Sequence, residues 1–407
     1  MNAHSAATQV SLGCRLNAYE TDRMAELAGT EGTAVVVINT CAVTNEAVRQ
    51  SRQAIRRARK DHPEAKLIVS GCAVETDRDR LAAMPEIDHL IPNADKLKPE
   101  SYAGATAPLS RSPQPVRAPL AIQNGCDHSC TFCIIPQGRG RAQSRPIAEA
   151  VAEAHALVAA GAREIVLTGV DLTSYGDDLE GGVTLADPIE VLLTSLPAAI
   201  TLRLSSLDGA EVDDRLFRLL TEEDRVAPYA HLSLQAGHDL TLKRMKRRHL
   251  TADAIDLTDR LRTARPDFAF GADLIAGFPT ETEEMFAASL DHAARCGLAF
   301  LHVFPFSPRV GTPAARMPQI DRAVVKDRAK RLRALGDDLL AAHLDRLIGQ
   351  RVAVLIEQTS GTHLIGRLPN FTEIEVEAEG QAGERIMAHV TGHTGRRLMG
   401  RKDADHG

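Results

Sequence analysis

Apolar positions in the first hundred residues fall into short continuous runs that are separated by amphipathic segments. The runs predict strands at residues 8–14, 34–39, 66–70 and 87–91. The segments between them predict helices that start near residue 19 and cover residues 44–59 and about 77–83. Alternating strands and helices are typical of parallel βαβ units, and continuous apolar runs are typical of strands covered on both faces. We therefore predict a doubly wound parallel α/β domain over residues 1–98.

The same alternation resumes at residue 119 with a longer spacing. Six apolar runs predict strands at residues 119–123, 164–168, 201–205, 230–234, 271–275 and 300–304. Helical segments lie between them, for example at residues 147–160, 187–195, 252–264 and 281–295. Six such units predict an open six-stranded parallel (β/α) barrel over residues 119–345. In barrels of this kind, functional residues gather at the C-terminal ends of the strands.

The two remaining parts of the chain have different patterns. Residues 99–118 are rich in proline, serine and alanine and carry no periodicity, which predicts a linker. Residues 322–346 predict a basic amphipathic helix. Beyond it, alternating apolar positions predict a small C-terminal all-β barrel over residues 346–407. Its strands are predicted at residues 348–357, 362–368, 372–377 and 386–390.

Composition supports an α/β protein with several domains. A chain of 407 residues exceeds one typical domain, and aromatic residues make up only 3%, so aliphatic side chains must build the cores. The N-terminus lacks a signal-peptide pattern, and no run of 18 apolar residues exists. We therefore expect a cytoplasmic protein with no membrane partner. The net charge of −6 does not indicate a nucleic-acid binder, and short basic runs are usually solvated faces.

Three of the seven cysteines follow predicted strands in the N-terminal domain. Cys14, Cys41 and Cys72, here called the N-terminal triad, each stand just past the C-terminal end of a strand. Because ligands bind at this edge of a parallel sheet, we expect the three thiols to share one site. Three unrelated buried thiols are the alternative. A disulfide framework is not expected in a cytosolic chain.

Cys126, Cys130 and Cys133, here called the loop triad, have the spacing C-x3-C-x2-C after the first strand of the predicted barrel. Three thiolates can bind three irons of a [4Fe–4S] cluster and leave the fourth iron open. A zinc site that uses His128 as fourth ligand is the alternative. Zinc hooks usually occur in pairs, however, and no second hook follows.

The stretch IQNGCDHSCTFCIIPQGRGRAQSR, with the aromatic Phe132 before the last cysteine, resembles the S-adenosylmethionine radical family. With SLGCRLNAYETD, INTCAVT, SGCA, EIVLTGVDLTSYG and GADLIAGFPTET, the whole chain resembles the methylthiotransferase family. The resemblance implies an N-terminal three-cysteine domain, a radical S-adenosylmethionine barrel and a C-terminal TRAM-like RNA-binding barrel. INTCAVT, LTGVDLTSYG and HLSLQ…LKRMKRRH are most similar to the branch that acts on N6-threonylcarbamoyladenosine.

This resemblance implies conversion of N6-threonylcarbamoyladenosine at position 37 of tRNA, next to the anticodon, to its 2-methylthio derivative. It implies two [4Fe–4S] clusters, one on each triad, and S-adenosyl-L-methionine, which is cleaved to methionine and a 5′-deoxyadenosyl radical. The implied partners are the tRNA anticodon arm, an electron donor such as flavodoxin or ferredoxin, and a sulfur donor. Isopentenyladenosine in tRNA and a ribosomal-protein aspartate are alternative substrates. A non-radical iron–sulfur or zinc RNA-binding adaptor is an alternative of another class.

Further residues are implied to contact S-adenosylmethionine, most of them at the ends of barrel strands: Phe132, Gly169, Asp171, Ser205, Gln235, Arg248, Ile275 and Gly277. Gly277 is expected to let the backbone approach the adenine ring. The turns also need small residues, and Ser205 is equally well explained as a helix N-cap.

Basic residues near the loop triad and residues of the C-terminal tail are also expected to contact cofactors or RNA. Arg139, Arg141 and Arg145 are expected to screen cluster charge or to contact phosphates. The anticodon arm is expected to contact a set of tail residues: Arg367, Asn370 and Phe371. Cys296 is predicted to be a structural thiol.

Overall fold

The computed structural model describes residues 7–29, 34–102 and 115–403. Most of the predicted linker at 99–118 lies outside the described residues. Within the described ranges, none of the helices combines the length and the apolar character that a membrane span requires.

The N-terminal part is a four-stranded parallel sheet with the order β1-β2-β3-β4. Its strands are β1 (Thr8–Ser11), β2 (Val35–Thr40), β3 (Lys66–Gly71) and β4 (His89–Leu90). Its helices are α1 (Arg15–Ala28), α2 (Asn45–Asp61), α3 (Cys72–Thr76) and α4 (Arg78–Ala82). On β2, Val35 and Val37 pack with α1 on one face, whereas Val36 and Ile38 pack with α2 on the other. The parallel sheet covered on both faces is confirmed. The strand order follows the chain order, so the sheet lacks the order reversal of a doubly wound fold.

The central part contains two parallel sheets and one short antiparallel pair. The strands are β5 (Arg117–Ala121), β6 (Gln123–Asn124), β7 (Gln143–Ser144), β8 (Glu164–Thr168), β9 (Thr201–Leu204), β10 (Ser206–Leu207), β11 (Tyr229–Gln235), β12 (Ala269–Ala276) and β13 (Leu298–Pro305). The helices are α5 (Ile135–Arg139), α6 (Ile147–Ala159), α7 (Ala186–Ser195), α8 (Asp214–Glu222), α9 (Asp239–Met245), α10 (Thr251–Ala264), α11 (Glu283–Arg295) and α12 (Arg322–Asp345). The sheet orders are β5-β8-β9 and β10-β11-β12-β13, and β6 pairs with β7.

All six strand positions predicted for the central part are strands. The third is interrupted at Ser205, which separates β9 from β10 and thereby divides the strands between two sheets. The outer faces of both sheets contribute to one apolar core with the helices, and Leu202 and Leu232 are examples. The opposite face, here called the inner face, is polar. Arg203 on β9 pairs with Glu164 on β8 at 2.7 Å, and its guanidinium lies 5.7 Å from the Tyr229 ring on β11, so the inner face continues across both sheets.

The C-terminal part is a closed five-stranded barrel with the order β14-β15-β16-β18-β17. Its strands are β14 (Arg351–Ser360), β15 (His363–Arg367), β16 (Glu373–Glu377), β17 (Arg385–His393) and β18 (Leu398–Lys402). The sequence pattern did not predict β18, because its inward positions are Leu398 and Gly400 and a glycine adds no apolar signal. Helix α12 joins this barrel to the central part, since Leu332 packs in the central core and Leu344 in the barrel core.

Residues of the turn between β15 and β16 hold the barrel against the central part. The Phe371 ring stacks on Tyr229 with centroids 4.9 Å apart, and the Asn370 amide donates to the Asp267 carbonyl at 3.2 Å. Arg367 donates to the Phe371 carbonyl at 3.1 Å. Asn370 and Phe371 therefore contribute to a contact between domains. The expected contact of Arg367, Asn370 and Phe371 with the anticodon arm stays a prediction.

Candidate active site

The structure brings the N-terminal triad together at one edge of the first sheet. Cys14, Cys41 and Cys72 follow β1, β2 and β3, whose parallel strands all end at this edge. A Cβ atom at Gly13 would lie 2.7 Å from Cys41 Sγ, so the turn before Cys14 packs directly on the second cysteine. Burial raises the pKa of Cys41, and the nearby Cys72 and Cys14 sulfurs raise it further. The predicted convergence of the three thiols is therefore seen in the fold.

The loop triad is surrounded by hydrogen-bond donors. Each sulfur accepts a weak hydrogen bond: Cys126 from the His128 N–H at 3.4 Å, Cys130 from Arg247 Nη1 at 3.7 Å, and Cys133 from the Ile135 N–H at 3.5 Å. Burial raises the pKa of Cys126 to about 12 and that of Cys133 to about 11. Thiolates in this setting need a compensating cation. Donors directed at sulfur are also a usual feature of iron–sulfur sites. The residues present therefore fit a thiolate-bound cluster.

The two triads belong to one continuous region. Helix α5 follows Cys133 closely, and it packs against α3, which begins at Cys72. The packing is close at Gly138, where a Cβ atom would lie 3.1 Å from the Cys72 Cβ. The Asn93 side chain reinforces it by donating to the Gly138 carbonyl at 2.5 Å. The loop that carries one cysteine triad is therefore anchored on a helix that carries a member of the other.

Buried charges beside the N-terminal triad sum to one excess positive charge. Arg139 and Lys96 both pair with Glu20, and the side chains of all three are at most 2% exposed. Burial opposes the charged form of Arg139, but Glu20 and Cys72 outweigh it and raise the pKa of the guanidinium. Two cations against one carboxylate favour an anionic group at the neighbouring Cys72 and Cys14. The residues therefore also fit a second thiolate-bound cluster.

Arg309 is a second buried guanidinium near this triad, and sequence reasoning did not identify it. It lies in the loop after β13 and donates to the Asn45 side chain at the start of α2. The same loop places Ser307 Oγ 3.0 Å from the Asn45 N–H. Burial lowers the pKa of Arg309, whereas the nearby Asp77 and Cys41 raise it. No local motif marks Arg309, because its partners lie more than 200 residues earlier in the chain.

Asp171 lies beside the loop triad, as expected for a residue at the end of β8. Its carboxylate accepts hydrogen bonds from Ser174 at 2.9 Å and from the Cys126 thiol at 3.6 Å. It also pairs with His128 at 2.7 Å, so His128 is engaged as a partner of Asp171.

Gln123 ties this turn to the loop triad and was not identified from the sequence. Its Oε1 accepts the backbone N–H groups of Val170 and Asp171, both at 2.9 Å, while its Nε2 donates to the Gly125 carbonyl. A Cβ at Gly169 would lie 2.9 Å from Gln123 Oε1. Glycine at 169 is therefore required by packing against Gln123.

The basic run after α9 supplies two arginines, of which one is exposed and the other contacts the loop triad. Arg248 was predicted as a ligand contact; it is half-exposed and pairs with Glu211. Arg247 is the residue that contacts a loop cysteine, and it also donates to Asp208 at 2.8 Å and to the Ser233 carbonyl at 2.9 Å. Burial opposes ionisation of Asp208, but His249 and Arg247 lower its pKa to about 2.

Of the other predicted contact residues, Phe132 lies in the loop that carries the loop triad, and the rest lie at strand ends. Phe132 and Ile275 pack in one apolar group that includes Phe278. Gln235 ends β11 with a φ of 65°, a conformation that non-glycine residues rarely adopt. Ser205 Oγ is buried and has no hydrogen-bond partner in the part of the chain that the structure describes.

The structure shows a packing role for Gly277, and its expected approach to adenine stays a prediction. Its φ is 76°, and a Cβ would lie 2.6 Å from Val325 Cγ2 on α12. Helix packing and backbone conformation therefore account for the glycine, and an approach to adenine is not needed to explain it.

The three predicted loop arginines differ in burial and in partners. Arg141 is 88% exposed and pairs with Asp127, and Arg145 pairs with Glu153. Only Arg139 is buried beside cysteine. Cys296 lies fully buried in the central core, as a structural thiol should.

The inner face carries a hydrogen-bonded group that no sequence motif predicted. The Tyr229 hydroxyl lies 3.0 Å from His231 Nδ1, and His231 Nε2 lies 2.9 Å from Asp273 Oδ1. His302 Nδ1 lies 3.3 Å from the same carboxylate oxygen. Burial opposes the charged form of Asp273, but the hydrogen bonds from the two histidines outweigh it and lower its pKa.

Gly271 leaves the room that this group needs, and Gly271→Ala should destabilise the protein by about 1–3 kcal/mol through overpacking. A Cβ there would lie 2.4 Å from the Tyr229 hydroxyl and 2.7 Å from His231 Nδ1. Urea denaturation of the variant would measure the loss. Gly392→Ala is the matched control, because its Cβ would meet nothing within 4 Å. Equal stability of the Gly271 variant and the wild type would contradict this packing argument.

Family models match most of the described site. The Radical SAM superfamily matches residues 120–293, and the Uncharacterized protein family UPF0004 matches residues 7–92. The threonylcarbamoyladenosine tRNA methylthiotransferase MtaB of Rickettsia prowazekii is 43% identical over 402 residues, 94% of either chain. MtaB of Bacillus subtilis is 35% identical over 86% of this chain and 84% of its own. The tRNA-2-methylthio-N(6)-dimethylallyladenosine synthase of Sphingopyxis alaskensis is 34% identical over 94% of either chain.

Among solved structures, the radical S-adenosylmethionine methyltransferase TsrM from Kitasatospora setae has a similar fold. The TM-score is 0.55 at 13% identity, and the match covers 82% of this chain and 83% of that one. The likeness supports an α/β fold with parallel sheets in the central part.

Proposed function

Because this chain belongs to the radical S-adenosylmethionine methylthiotransferase family, we propose that it converts N6-threonylcarbamoyladenosine at position 37 of tRNA to its 2-methylthio derivative. The relatives of highest identity named here act on threonylcarbamoyladenosine by name. The observation that carries the proposal is the packing of α5 on α3, since it joins two cysteine triads in one site. An unactivated C–H bond on an adenine ring needs a cofactor for its cleavage, and the two triads would place two such cofactors within one region.

Each triad would hold one [4Fe–4S] cluster. The loop triad would hold the cluster that also binds S-adenosylmethionine, and the N-terminal triad would hold the second. When bound, these groups supply radical removal of a hydrogen atom and the sulfur and methyl groups that replace it. Arg247 holds the Cys130 sulfur in place and, through Asp208 and the Ser233 carbonyl, ties the loop triad to the inner face.

Residues around the loop triad offer complementary groups to S-adenosylmethionine. The Asp171 carboxylate, beside Cys126, is placed to accept from an ammonium group. The buried Ser205 hydroxyl has no partner among the described residues, and a contact with the ligand is proposed for it as well. Phe132 with Ile275 forms an apolar surface suited to an adenine ring. Contacts to the same ligand are also proposed for Gly169, Gln235, Arg248 and Gly277.

The excess positive charge at Arg139 and Lys96 offsets the negative charge that three thiolates bring to the N-terminal triad. Arg309 adds a cation on the Cys41 side. These side chains therefore allow an anionic cluster to be buried next to the sheet edge.

We also propose a separate function for each domain of the chain. Residues 1–98 carry the second cluster, 119–345 form an open radical barrel after a linker at 99–118, and 346–407 form a TRAM-like barrel that binds RNA. The tRNA anticodon arm is the substrate partner. A small electron-transfer protein such as flavodoxin or ferredoxin and a separate sulfur donor complete the reaction.

Nucleoside analysis of tRNA from a deletion strain tests the function. We expect 2-methylthio-N6-threonylcarbamoyladenosine to disappear and its unmethylthiolated precursor to accumulate, with recovery on expression of the wild-type chain. Loss of the 2-methylthio-isopentenyl nucleoside instead would move the substrate to the other tRNA branch. Unchanged methylthio-nucleosides would exclude tRNA as the substrate.

A further inference from the structure

Arg15 directly follows the first cysteine of the N-terminal triad and reaches the inner face. Its guanidinium carbon lies 5.3 Å from the centroid of the Phe371 ring. Phe371 stacks on Tyr229, whose hydroxyl is hydrogen-bonded to His231 in the group described above. Arg15 of the N-terminal domain thus contacts a ring of the C-terminal barrel that itself stacks on the central part.

Arg15 differs from the other arginines around the Phe371 ring. Arg117 and Arg203 pair with Glu164, and Arg367 pairs with Glu373 at 2.8 Å. Arg15 has no hydrogen bond or ion pair with any of the described residues. Burial lowers its pKa, and the like charge of Arg117 lowers it further, but an arginine stays charged at neutral pH.

The solvent exposure of Arg15 indicates that its guanidinium lies in a cleft. The residue is exposed to solvent although protein atoms surround its guanidinium closely enough for burial to lower the pKa. The other three arginines are much less accessible, and Arg203 is only 1% exposed. Arg15 is therefore the cation of this group that a ligand can reach.

The nearby wall of the inner face is polar and becomes more open along the strands. His231 is 9% exposed, Asp273 25% and His302 60%. These side chains could hold a cation, but both ring nitrogens of His231 already have partners in Tyr229 and Asp273. They serve better as hydrogen-bond groups for a ligand with hydroxyl and amide functions.

We propose that Arg15 binds the carboxylate of the threonylcarbamoyl group on the target adenosine, and that His302 with Asp273 lines the same subsite. This inference rests on the proposed function and names the group that selects the substrate. An isopentenyl group carries no charge and would leave the Arg15 guanidinium unpaired, which disfavours that substrate.

The position of Arg15 next to Cys14 supports this assignment. Carbon 2 of the target base must face the cluster proposed on the N-terminal triad. The N6 substituent is attached to the same small ring, so it must lie close to the same triad. A guanidinium on the residue after a cluster ligand can meet a carboxylate there, and arginine offers the paired donors that fit a carboxylate.

Binding of synthetic anticodon stem-loop RNAs tests the role of Arg15 at one fixed salt concentration. One RNA carries the threonylcarbamoyl group, and a second carries the same group with its carboxylate replaced by a carboxamide. For the wild-type full-length chain, we expect the carboxylate RNA to bind about 10–100-fold more tightly, as for a charge-assisted hydrogen bond. In Arg15→Gln this ratio should fall to about one, because carboxamide binding stays unchanged, whereas Arg15→Lys should keep most of it.

The controls separate recognition from packing and from general RNA attraction. Arg23→Gln removes a charge from the same helix at a position that pairs with Glu26 and Glu153, so it should preserve the ratio. An equal loss of affinity for both RNAs in Arg15→Gln would overturn the proposal in favour of a structural role. A wild-type ratio near one would overturn it as well.

Turnover by the reconstituted wild-type enzyme distinguishes failure of the inference from failure of the proposed function. If the threonylcarbamoyl RNA is methylthiolated but Arg15→Gln keeps the carboxylate preference, only the inference fails. If only isopentenyl RNA is methylthiolated, the proposed substrate fails, and the inference fails with it.

Discussion

Cys41→Ala should abolish tRNA methylthiolation and leave reductive cleavage of S-adenosylmethionine intact, whereas Cys130→Ala should abolish both. The reason is that the two cysteines belong to different triads, which lie on separate elements that meet where α5 packs on α3. Each lost activity should fall by more than about 100-fold. Removing a residue that only supports a metal ligand already costs up to about 100-fold, and these variants remove the ligand itself. The amounts of 5′-deoxyadenosine and methylthiolated nucleoside, measured under anaerobic conditions, provide the two readouts.

Iron content and a third cysteine variant complete this experiment. The wild type should bind about eight irons per chain, and each single variant should retain about four. Cys296→Ala is the matched control, because this thiol lies in the central core away from both triads, and it should keep the full iron content. Methylthiolation by Cys41→Ala would contradict the role proposed for the N-terminal triad.

Glu20→Gln should lower the free energy of unfolding of the apoprotein by about 3–5 kcal/mol, as expected when one partner of a buried ion pair is removed. The substitution keeps the shape of the side chain but leaves Arg139 and Lys96 buried without their shared carboxylate. The loss should be smaller in the reconstituted protein, because anionic clusters near Cys72 would replace part of the missing charge. Urea denaturation of both forms measures the difference.

A surface glutamate and the pH dependence provide the controls. Glu46→Gln removes the partner of the exposed Arg49 and should leave stability unchanged. Burial opposes ionisation of Glu20, but Lys96 and Arg139 outweigh it and lower its pKa. The wild type therefore keeps this contribution above the usual pKa of glutamate and loses it as the pH falls through the lowered value. An equal loss of stability in the two glutamate variants would contradict the buried-charge argument.

Local patterns were sufficient for the strands and for the two cysteine triads. An apolar run forms a strand because its own side chains are buried on both faces, so the signal is contained in the run itself. Parallel strands end at one edge, and this topological rule alone places Cys14, Cys41 and Cys72 together. The weaker elements were missed for local reasons as well, since β18 has a glycine at an inward position and Ser205 interrupts an otherwise continuous strand.

The partners of individual side chains required the folded structure. Three arginines stand close together near the loop triad in the sequence, yet only Arg139 is buried, because Glu20, which lies 119 residues earlier, supplies its counter-charge. Arg247 and Arg248 are neighbours in one basic run, but only the first contacts a loop cysteine.

Two residues for which the sequence predicted ligand contacts also have packing partners that the sequence did not reveal. Phe371 packs between domains, and Gly277 is explained by Val325 on a helix that follows it. Contacts of this kind depend on how distant elements pack, and packing leaves no mark in the neighbouring residues. The sequence could thus identify the cysteines and the order of elements through local burial and spacing. The charges that support the N-terminal triad, and the open position of Arg15, follow only from the packing of the domains.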